Sequence, residues 1–257
     1  MASPMTYSQF IKALRDEGLR VVEVKTGGKP PSSHNRNSVG AWGPVHGVMM
    51  HHTVTKGTAN TVSICRTGYS GLPGPLCHGV IAKDGAVHVV GYGRANHAGS
   101  GDDDVLRAVI AETSLPRANE ANTDGNRAFY GFECENLGDG KDPWPDVQVE
   151  AMEAVAAAIC RHHKWGPRSV IAHKEWQPGK IDPRGVSMDG LRRRVGERLE
   201  GKPPAAATYT VRDGDTLWSI ATEKLGAGKR YTEIAKLNGL KDADALTPGQ
   251  KLKLPKK

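Results

Sequence analysis

Residues 45–53 read VHGVMMHHT, an apolar run that ends in two histidines and a threonine. A short, continuous apolar run of this kind predicts a buried strand, here one that ends in polar residues. Successive strand residues point to opposite faces of a sheet, so only one of His51 and His52 is expected to face a given site. The run therefore predicts a sheet with a histidine at the end of a central strand.

Further strands and helices are predicted on both sides of this run. The predicted strands are 80–82 and 86–90, joined as a hairpin through Lys83–Gly85, then 128–135 and 169–173. The predicted helices follow a capping box at Thr6–Gln9, run from Asp146 to a stop at Gly166, and span 187–199. Strands interspersed with helices indicate an α/β domain.

The composition excludes several classes of protein. The chain has 257 residues, 38% of them hydrophobic, which is normal for a globular protein and excludes low-complexity disorder. No stretch approaches the roughly 20 apolar residues that cross a bilayer, and the first 20 residues do not show the pattern expected of a standard signal peptide. The net charge of +7 is compatible with nucleic acid, an anionic membrane or an anionic wall polymer.

The cysteines do not indicate a disulfide scaffold. There are 4 in the chain, and no two have C-x-x-C spacing. Cys65 and Cys77 are close enough along the chain to pair, but the sequence leaves this open. Cys134 and Cys160 are interpreted as small buried hydrophobic residues.

Polar residues at the predicted strand ends suggest a metal site. A catalytic zinc needs three N, O or S ligands and leaves one position for water. His51, His173 and Asp182 would supply two neutral imidazoles and a carboxylate, which lower the pKa of a zinc-bound water. For each of these residues taken alone, a structural or merely exposed position is more common than a role as a ligand.

Several motifs occur in a fixed order along the chain. They are VMMHHT (48–53), LPGPLCHGVIAKDG (72–85), GRANHAG (93–99), GFECEN (131–136) and AHKEWQPGKIDP (172–183). Over about residues 40–195 they resemble the zinc-dependent N-acetylmuramoyl-L-alanine amidases that share their fold with peptidoglycan recognition proteins, phage endolysins in particular. The resemblance implies a mixed central β-sheet flanked by helices.

The resemblance also implies roles for individual residues. The zinc ligands fall on His51, His173 and Asp182, the catalytic glutamate on Glu133, and the catalytic lysine on Lys180. The implied reaction is hydrolysis of the amide between N-acetylmuramic acid and the L-alanine of the stem peptide. Glu133 would take up a proton from water, and Lys180 would stabilise the developing oxyanion.

Other polar and aromatic residues are candidates for lining a substrate cleft. Asn96 and His97 follow a glycine-rich bend that brings backbone close to a ligand, and Trp176 offers a face for stacking on a sugar. His52 is the fourth candidate. A role in loop packing is the alternative for each of them.

The C-terminal part of the chain has the features of a separate module. Residues 201–207 contain Pro203 and Pro204 followed by alanines, which predicts a linker. Residues 208–257 carry 10 basic and 6 acidic side chains, more than half of the net charge. Their predicted order is strand, helix (216–225), helix (231–237) and strand.

The motifs YTV, GDTLWSIA, LNGL and TPGQKL in this module resemble a lysin-motif (LysM) domain, a small βααβ fold that binds glycans containing N-acetylglucosamine. Trp218 is interpreted as a core residue. The resemblance places the glycan groove at Gly214, Asp215, Thr216, Leu217, Asn238, Gly239 and Leu240.

The sequence thus predicts a peptidoglycan hydrolase with a zinc amidase domain at 1–200, a linker at 201–207 and a wall-binding module at 208–257. It is expected to be a monomeric endolysin that stays in the host cytoplasm until lysis and then acts on the cell wall, without nucleic-acid binding or membrane insertion. A non-catalytic peptidoglycan-binding protein of the same fold is the alternative. Paired carboxylates typical of a glycosidase are not found.

Overall fold

A computed structural model describes residues 2–201, 207–240 and 242–254. The chain divides into two compact units, Met1–Lys202 and Pro203–Lys257. The division falls in the segment whose prolines predict a linker, and residues 202–206 of that segment lie outside the described residues.

The first unit is built on a mixed β-sheet. The strands of this unit are β1 (Val21–Glu23), β2 (Gly47–His52), β3 (Gly68–Tyr69), β4 (Leu72–Pro73), β5 (Gly79–Ile81), β6 (Val87–Val89), β7 (Ser100–Gly101), β8 (Thr123–Asp124), β9 (Phe129–Cys134) and β10 (Val170–Ala172). Among the described residues, six of them form one sheet in the order β1-β6-β5-β9-β2-β10. Strands β5, β9, β2 and β10 are parallel to one another, and β6 is antiparallel to β5. The predicted α/β class with a mixed central sheet is confirmed.

Helices pack around this sheet. They are α1 (Tyr7–Asp16), α2 (Thr58–Thr67), α3 (Asp103–Ile110), α4 (Gly125–Ala128), α5 (Asp146–His163), α6 (His173–Trp176) and α7 (Met188–Leu199). The predicted capping box starts α1: Gln9 N–H donates to Thr6 Oγ1, and Thr6 N–H donates to the Gln9 side chain. In the described part of the chain, no helix combines the length and apolar character that spanning a bilayer requires.

The predicted end of α5 at Gly166 is wrong. Lys164 caps the helix in the left-handed conformation, with φ 57°. This conformation turns the chain two residues before the glycine, and the N–H of Trp165 then donates to the carbonyl of Cys160. A lysine in this conformation is uncommon, because glycine is the usual residue at such a cap.

Successive side chains of β2 point to opposite faces of the sheet, so this strand contributes to the hydrophobic core on both faces. Val48 and Met50 are buried with residues of α1, α5 and α7 on one face of the sheet. Met49 is buried on the other face with residues of α3 and with Trp176. Burying each such side chain contributes about 1.5–3 kcal/mol. His51 follows Met49 in this alternation and so belongs to the second face.

The second unit has the order strand, helix, helix, strand. Its elements are β11 (Ala207–Thr210), α8 (Leu217–Leu225), α9 (Tyr231–Leu237) and β12 (Lys251–Leu254). β11 and β12 pair antiparallel, and Leu217, Ile220, Ile234 and Leu252 form the centre of a separate core. This is the βααβ arrangement that the sequence predicts, with Thr216 as the cap of α8.

Candidate active site

Parallel pairing brings three predicted site residues to one edge of the sheet. His51 on β2 pairs directly with Glu133 on β9, and neighbouring strands lie about 4.8 Å apart. On the other side of β2, Met50 pairs with Ala172, the last residue of β10. His173 is the next residue, so it follows at the same carboxyl edge. The sheet register therefore gathers Glu133, His51 and His173 from segments far apart in sequence.

His51, His173 and Asp182 form a compact triangle of ligand atoms. His51 Nδ1 and His173 Nδ1 are 3.0 Å apart, and Asp182 Oδ2 is 3.1 Å from each of them. Both histidines are buried, with 1% and 6% of their surface exposed. Zinc bonds of 2.0–2.1 Å in a tetrahedron place ligand atoms about 3.3 Å apart, close to this spacing. The three residues fit a zinc ion and could bind a metal ion.

Neighbouring residues hold the segment that carries Asp182. Lys174 donates its backbone N–H to the Asp182 carbonyl, and its Nζ donates to the carbonyls of Pro183 and Val186. Glu175 accepts a hydrogen bond from the backbone N–H of Ala172 and so caps α6. These contacts fix Asp182 relative to His173, which lies at the start of the same helix.

In His51 and His173, the Nε2 atoms, which do not belong to the triangle of ligand atoms, also have hydrogen-bond partners. His51 Nε2 lies 3.1 Å from His97 Nδ1, and His173 Nε2 lies 3.2 Å from Gln177 Oε1. Burial lowers the pKa of His51 to about 4, despite the opposing effect of Asp182. His51 is therefore neutral near pH 7, and neutral imidazole is the form that binds a metal ion.

Glu133 is a partly buried residue, and one of its carboxyl oxygens has no hydrogen-bond partner among the described residues. Its Oε2 atom is buried and has no hydrogen-bond partner among the described residues. Burial raises the pKa of Glu133 well above its ordinary value; Cys65 and Asp182 add to this rise, and Lys180 opposes it. A carboxyl in this environment is suited to accepting a proton.

These residues share one cavity of about 370 Å³. The predicted residues that line it are His51, His52, Asn96, His97, Glu133, His173, Lys180 and Asp182. Lys180 is exposed. The cavity therefore brings the five predicted metal-binding and catalytic residues together.

The structure contradicts the predicted role of Trp176. This side chain is fully buried, its Nε1 donates to the carbonyl of Ala98, and its ring packs edge-on against Phe129. A Cβ on Gly101 or Gly125 would overlap the indole ring, so both glycines make room for it. With no open face, Trp176 cannot stack on a sugar, and its role is in the core.

The other candidates for substrate contact line the cavity, and each has at least one polar atom hydrogen-bonded to the protein. His52 Nδ1 accepts a hydrogen bond from Arg184 N–H, and Asn96 Nδ2 donates to the Pro73 carbonyl. His97 is buried, and both of its ring nitrogens have protein partners. The sequence did not single out Gln177. The available signal was its position in the sequence, four residues after the candidate ligand His173.

Exposed apolar residues at the cavity were also missed. Val54, Tyr69, Leu72 and Ile181 line it, and each has between 46% and 66% of its surface exposed. Val54 has φ 52°, a conformation that is rare for a β-branched residue. All four lie in short connecting segments or hairpins, where no hydrophobic periodicity marks them.

The cysteines are buried free thiols. Cys65 and Cys77 pack in one cluster with Val80 and Val90 but are not joined by a disulfide. The pairing that the sequence left open is therefore absent from the structure.

In the second unit, most of the predicted groove residues have structural roles. Thr216 accepts the Ser219 N–H as the cap of α8, and Asp215 accepts from Tyr209 Oη–H and Arg212 N–H. Gly214 and Gly239 are exposed, whereas Leu217 is buried in the core and Leu240 packs against it.

Asn238 joins the end of α9 to β12. Its Nδ2 donates to the carbonyls of Ile234 and Lys253, and its Oδ1 accepts the Lys253 N–H. The interpretation of Trp218 as a core residue is wrong, because 56% of it is exposed. Its ring lies over Gly228, where a Cβ would overlap it, and near Tyr231.

Comparison with known families agrees with both sets of motifs. Residues 41–185 match the family model for N-acetylmuramoyl-L-alanine amidase, and residues 209–255 match that for the LysM domain. The chain belongs to the N-acetylmuramoyl-L-alanine amidase family and has a LysM domain after the amidase domain.

Individual proteins that resemble this chain have low sequence identity to it or match only part of it. The N-acetylmuramoyl-L-alanine amidase XlyA of Bacillus subtilis (strain 168) is 30% identical over 138 residues, which are 52% of this chain and 42% of XlyA. An uncharacterized protein of Deinococcus radiodurans is 37% identical over 75 residues, 28% of this chain and 30% of the relative. The chain thus spans less than half the length of either curated relative. Among solved structures, the endolysin LysCS of Clostridium intestinale URNW, an N-acetylmuramoyl-L-alanine amidase, has 16% identity and a TM-score of 0.43, over 68% of this chain and 95% of that chain.

Proposed function

We propose that this protein is a peptidoglycan hydrolase that cleaves the amide between N-acetylmuramic acid and the L-alanine of the stem peptide. The observation that carries the proposal is the grouping of three metal-ligand atoms 3.0–3.1 Å apart with Glu133 and Lys180 at one cavity. All five residues lie within residues 41–185, which match the amidase family.

His51, His173 and Asp182 would hold zinc. The donor set supports this choice, since two neutral imidazoles and one carboxylate are typical of catalytic zinc and leave a position for water. Zinc bound there would lower the pKa of a water molecule and polarise the scissile carbonyl.

Glu133 would accept the proton of the attacking water and pass it to the leaving amine. Its pKa, raised mainly by burial, makes the proton easier to accept and hold during the reaction. Because one of its oxygens has no protein partner among the described residues, it is available to a water molecule or the substrate.

Lys180 would stabilise the negative charge that develops on the carbonyl oxygen. Its side chain lines the same cavity and is exposed, so it can approach a bound substrate. A fixed positive charge near a developing oxyanion contributes several kcal/mol in the transition state. His52 and Asn96 would contact the substrate at the cavity wall.

The LysM domain would hold the enzyme on its insoluble substrate. Binding of the same wall by a linked domain raises the effective concentration of the amidase domain without changing its chemistry. We assign the amidase domain to residues 1–200 and the wall-binding domain to 208–257. The protein would act at the bacterial cell wall as a monomer.

Digestion of purified sacculi tests this function. We expect new L-alanine amino termini without new reducing sugars, and we expect zinc to co-purify with the protein. New reducing ends would instead indicate a glycosidase. Retention on sacculi without any cleavage would indicate a non-catalytic peptidoglycan-binding protein.

A further inference from the structure

His97 is buried between the metal-ligand cluster and strand β9, although it supplies no ligand atom. Only 7% of its surface is exposed. The loop that carries it is held by Asn126, whose Oδ1 accepts the backbone N–H groups of His97, Ala98 and Gly99 at 2.9, 2.8 and 3.3 Å. The ring itself lies on the backbone of β9, where a Cβ on Gly131 would overlap it. The position of the imidazole is therefore restricted from two sides.

The hydrogen bonds of His97 determine which of its nitrogens carries the proton. His97 Nε2 lies 3.2 Å from the carbonyl oxygen of Phe129, which can only accept, so Nε2 donates. In a neutral imidazole the other nitrogen is then an acceptor. His97 Nδ1 therefore accepts a hydrogen bond from His51 Nε2, at 3.1 Å.

This chain of donors has a direct consequence for His51. With its proton on Nε2, the lone pair of His51 is on Nδ1, the atom that lies 3.0 Å from His173 Nδ1 and 3.1 Å from Asp182 Oδ2. His173 has the same arrangement, because its Nε2 donates to Gln177 Oε1 at 3.2 Å. Two lone pairs and a carboxylate oxygen then converge, and this arrangement favours a bound cation.

We propose that His97 is a positioning residue that holds His51 in the Nε2–H tautomer and in the ring orientation that presents Nδ1 to the metal ion. Gln177 does the same for His173. This inference rests on the metal site proposed above. It also assigns a reason to the glycine of the GFE segment: Gly131 leaves room for the His97 ring.

The two positioning residues differ in how firmly they are held. His97 is buried, and its own acceptor is a strand carbonyl, whereas Gln177 is partly exposed and follows the end of the short helix α6. We therefore expect loss of His97 to have the larger effect. Removing such an outer partner of a metal-binding histidine typically lowers metal affinity by 10–100-fold.

The tautomer can be measured in the unaltered protein. Long-range ¹⁵N–¹H correlation spectra of the metal-free full chain distinguish the Nε2–H from the Nδ1–H form of each histidine. We expect His51 and His173 to be Nε2–H tautomers. An Nδ1–H tautomer at His51 overturns the proposal without the need for any variant.

Two substitutions at His97 test its role through zinc affinity. His97→Phe keeps a ring of similar size but has no acceptor, and we expect it to weaken zinc binding by about 10–100-fold in competition with a chelator. His97→Asn places an amide oxygen close to the former Nδ1, and we expect affinity within a few-fold of the wild type. Gln177→Leu, at a partly exposed position, should weaken binding by a smaller factor.

The outcomes separate this inference from the proposed function. If the wild-type chain binds no zinc, the metal site itself is wrong. If the wild type binds zinc and His97→Phe, folded as judged by its spectra, binds it equally well, His97 is not a positioning residue. Equal losses in His97→Phe and His97→Asn would also contradict the proposal, because a shared packing defect would then explain both.

Discussion

The polar residues of the two units are used in opposite ways. At the sheet edge of the first unit, the ligand atoms of His51, His173 and Asp182 lie 3.0–3.1 Å apart, and Glu133 has a buried oxygen without a partner among the described residues. In the second unit, the side chain of Asn238 makes three hydrogen bonds within the protein.

This difference distinguishes residues that bind a ligand or take part in a reaction from residues that stabilise the fold. Buried polar groups that lack partners cost stability and persist where a ligand or a reaction uses them. Polar groups whose hydrogen bonds are all made inside the protein stabilise the fold and have little capacity left for a ligand. Motif residues are therefore not equally good candidates for binding. The hydrogen bonds that each side chain makes within the protein show which of them are still available to a ligand.

The largest effect is expected for Glu133→Gln. The substitution keeps the shape of the side chain but removes the proton acceptor, so amide hydrolysis should fall by about 10²–10⁴-fold. Thermal stability should not fall, because the exchange removes a buried charge. Turnover on sacculi, zinc content and the melting temperature are the measurements, with the exposed Glu120→Gln as the matched control. Turnover near that of the wild type would contradict the role of Glu133.

Lys180→Met should have the next largest effect. The variant lacks the charge that stabilises the oxyanion, and we expect kcat to fall by about 10²-fold with little change in KM or in zinc content. Lys141→Met, an exposed lysine that does not line the cavity, is the control. A change in KM alone would show that Lys180 binds the ground state rather than the transition state.

Asn238→Ala tests the structural role of a polar residue in the second unit. Loss of its three hydrogen bonds should destabilise the second unit by about 2 kcal/mol, while hydrolysis of a soluble muropeptide is unchanged. Native-state hydrogen exchange at the amide of Lys253, whose N–H donates to Asn238 Oδ1, is the direct measurement. Lys236→Ala on the same helix is the control. Unchanged protection of Lys253 would show that Asn238 does not join the two elements.

The smallest effect is expected for Trp218→Ala. Because 56% of Trp218 is exposed, its removal should change the free energy of unfolding by less than about 1 kcal/mol. The adjacent Leu217 is buried, and Leu217→Ala should cost about 2–5 kcal/mol. Chemical denaturation of the two variants compares the positions. A large loss for Trp218→Ala would restore the core role that the sequence suggested.

Some elements were predictable because local and tertiary preferences agree. The helix α1 has both a capping box and a periodic apolar face, and Phe10 and Leu14 are buried as expected. Helix α2 was not predicted, because its Thr58, Thr61, Val62 and Ile64 are β-branched and disfavour a helix. Burial of Thr61 and Cys65 holds it in place.

The family, the two-part organisation of motifs and the identity of the candidate ligands can be read from the sequence, because each depends on residue types in a fixed order along the chain. How those residues are used depends on contacts between distant parts of the chain. Parallel strand register brings Glu133 beside His51, and a contact across 46 positions joins His51 to His97. Trp176 and Trp218 are both tryptophans within motifs, yet one is buried and the other exposed. Burial and hydrogen-bond partners arise from contacts between distant segments, which no local pattern specifies.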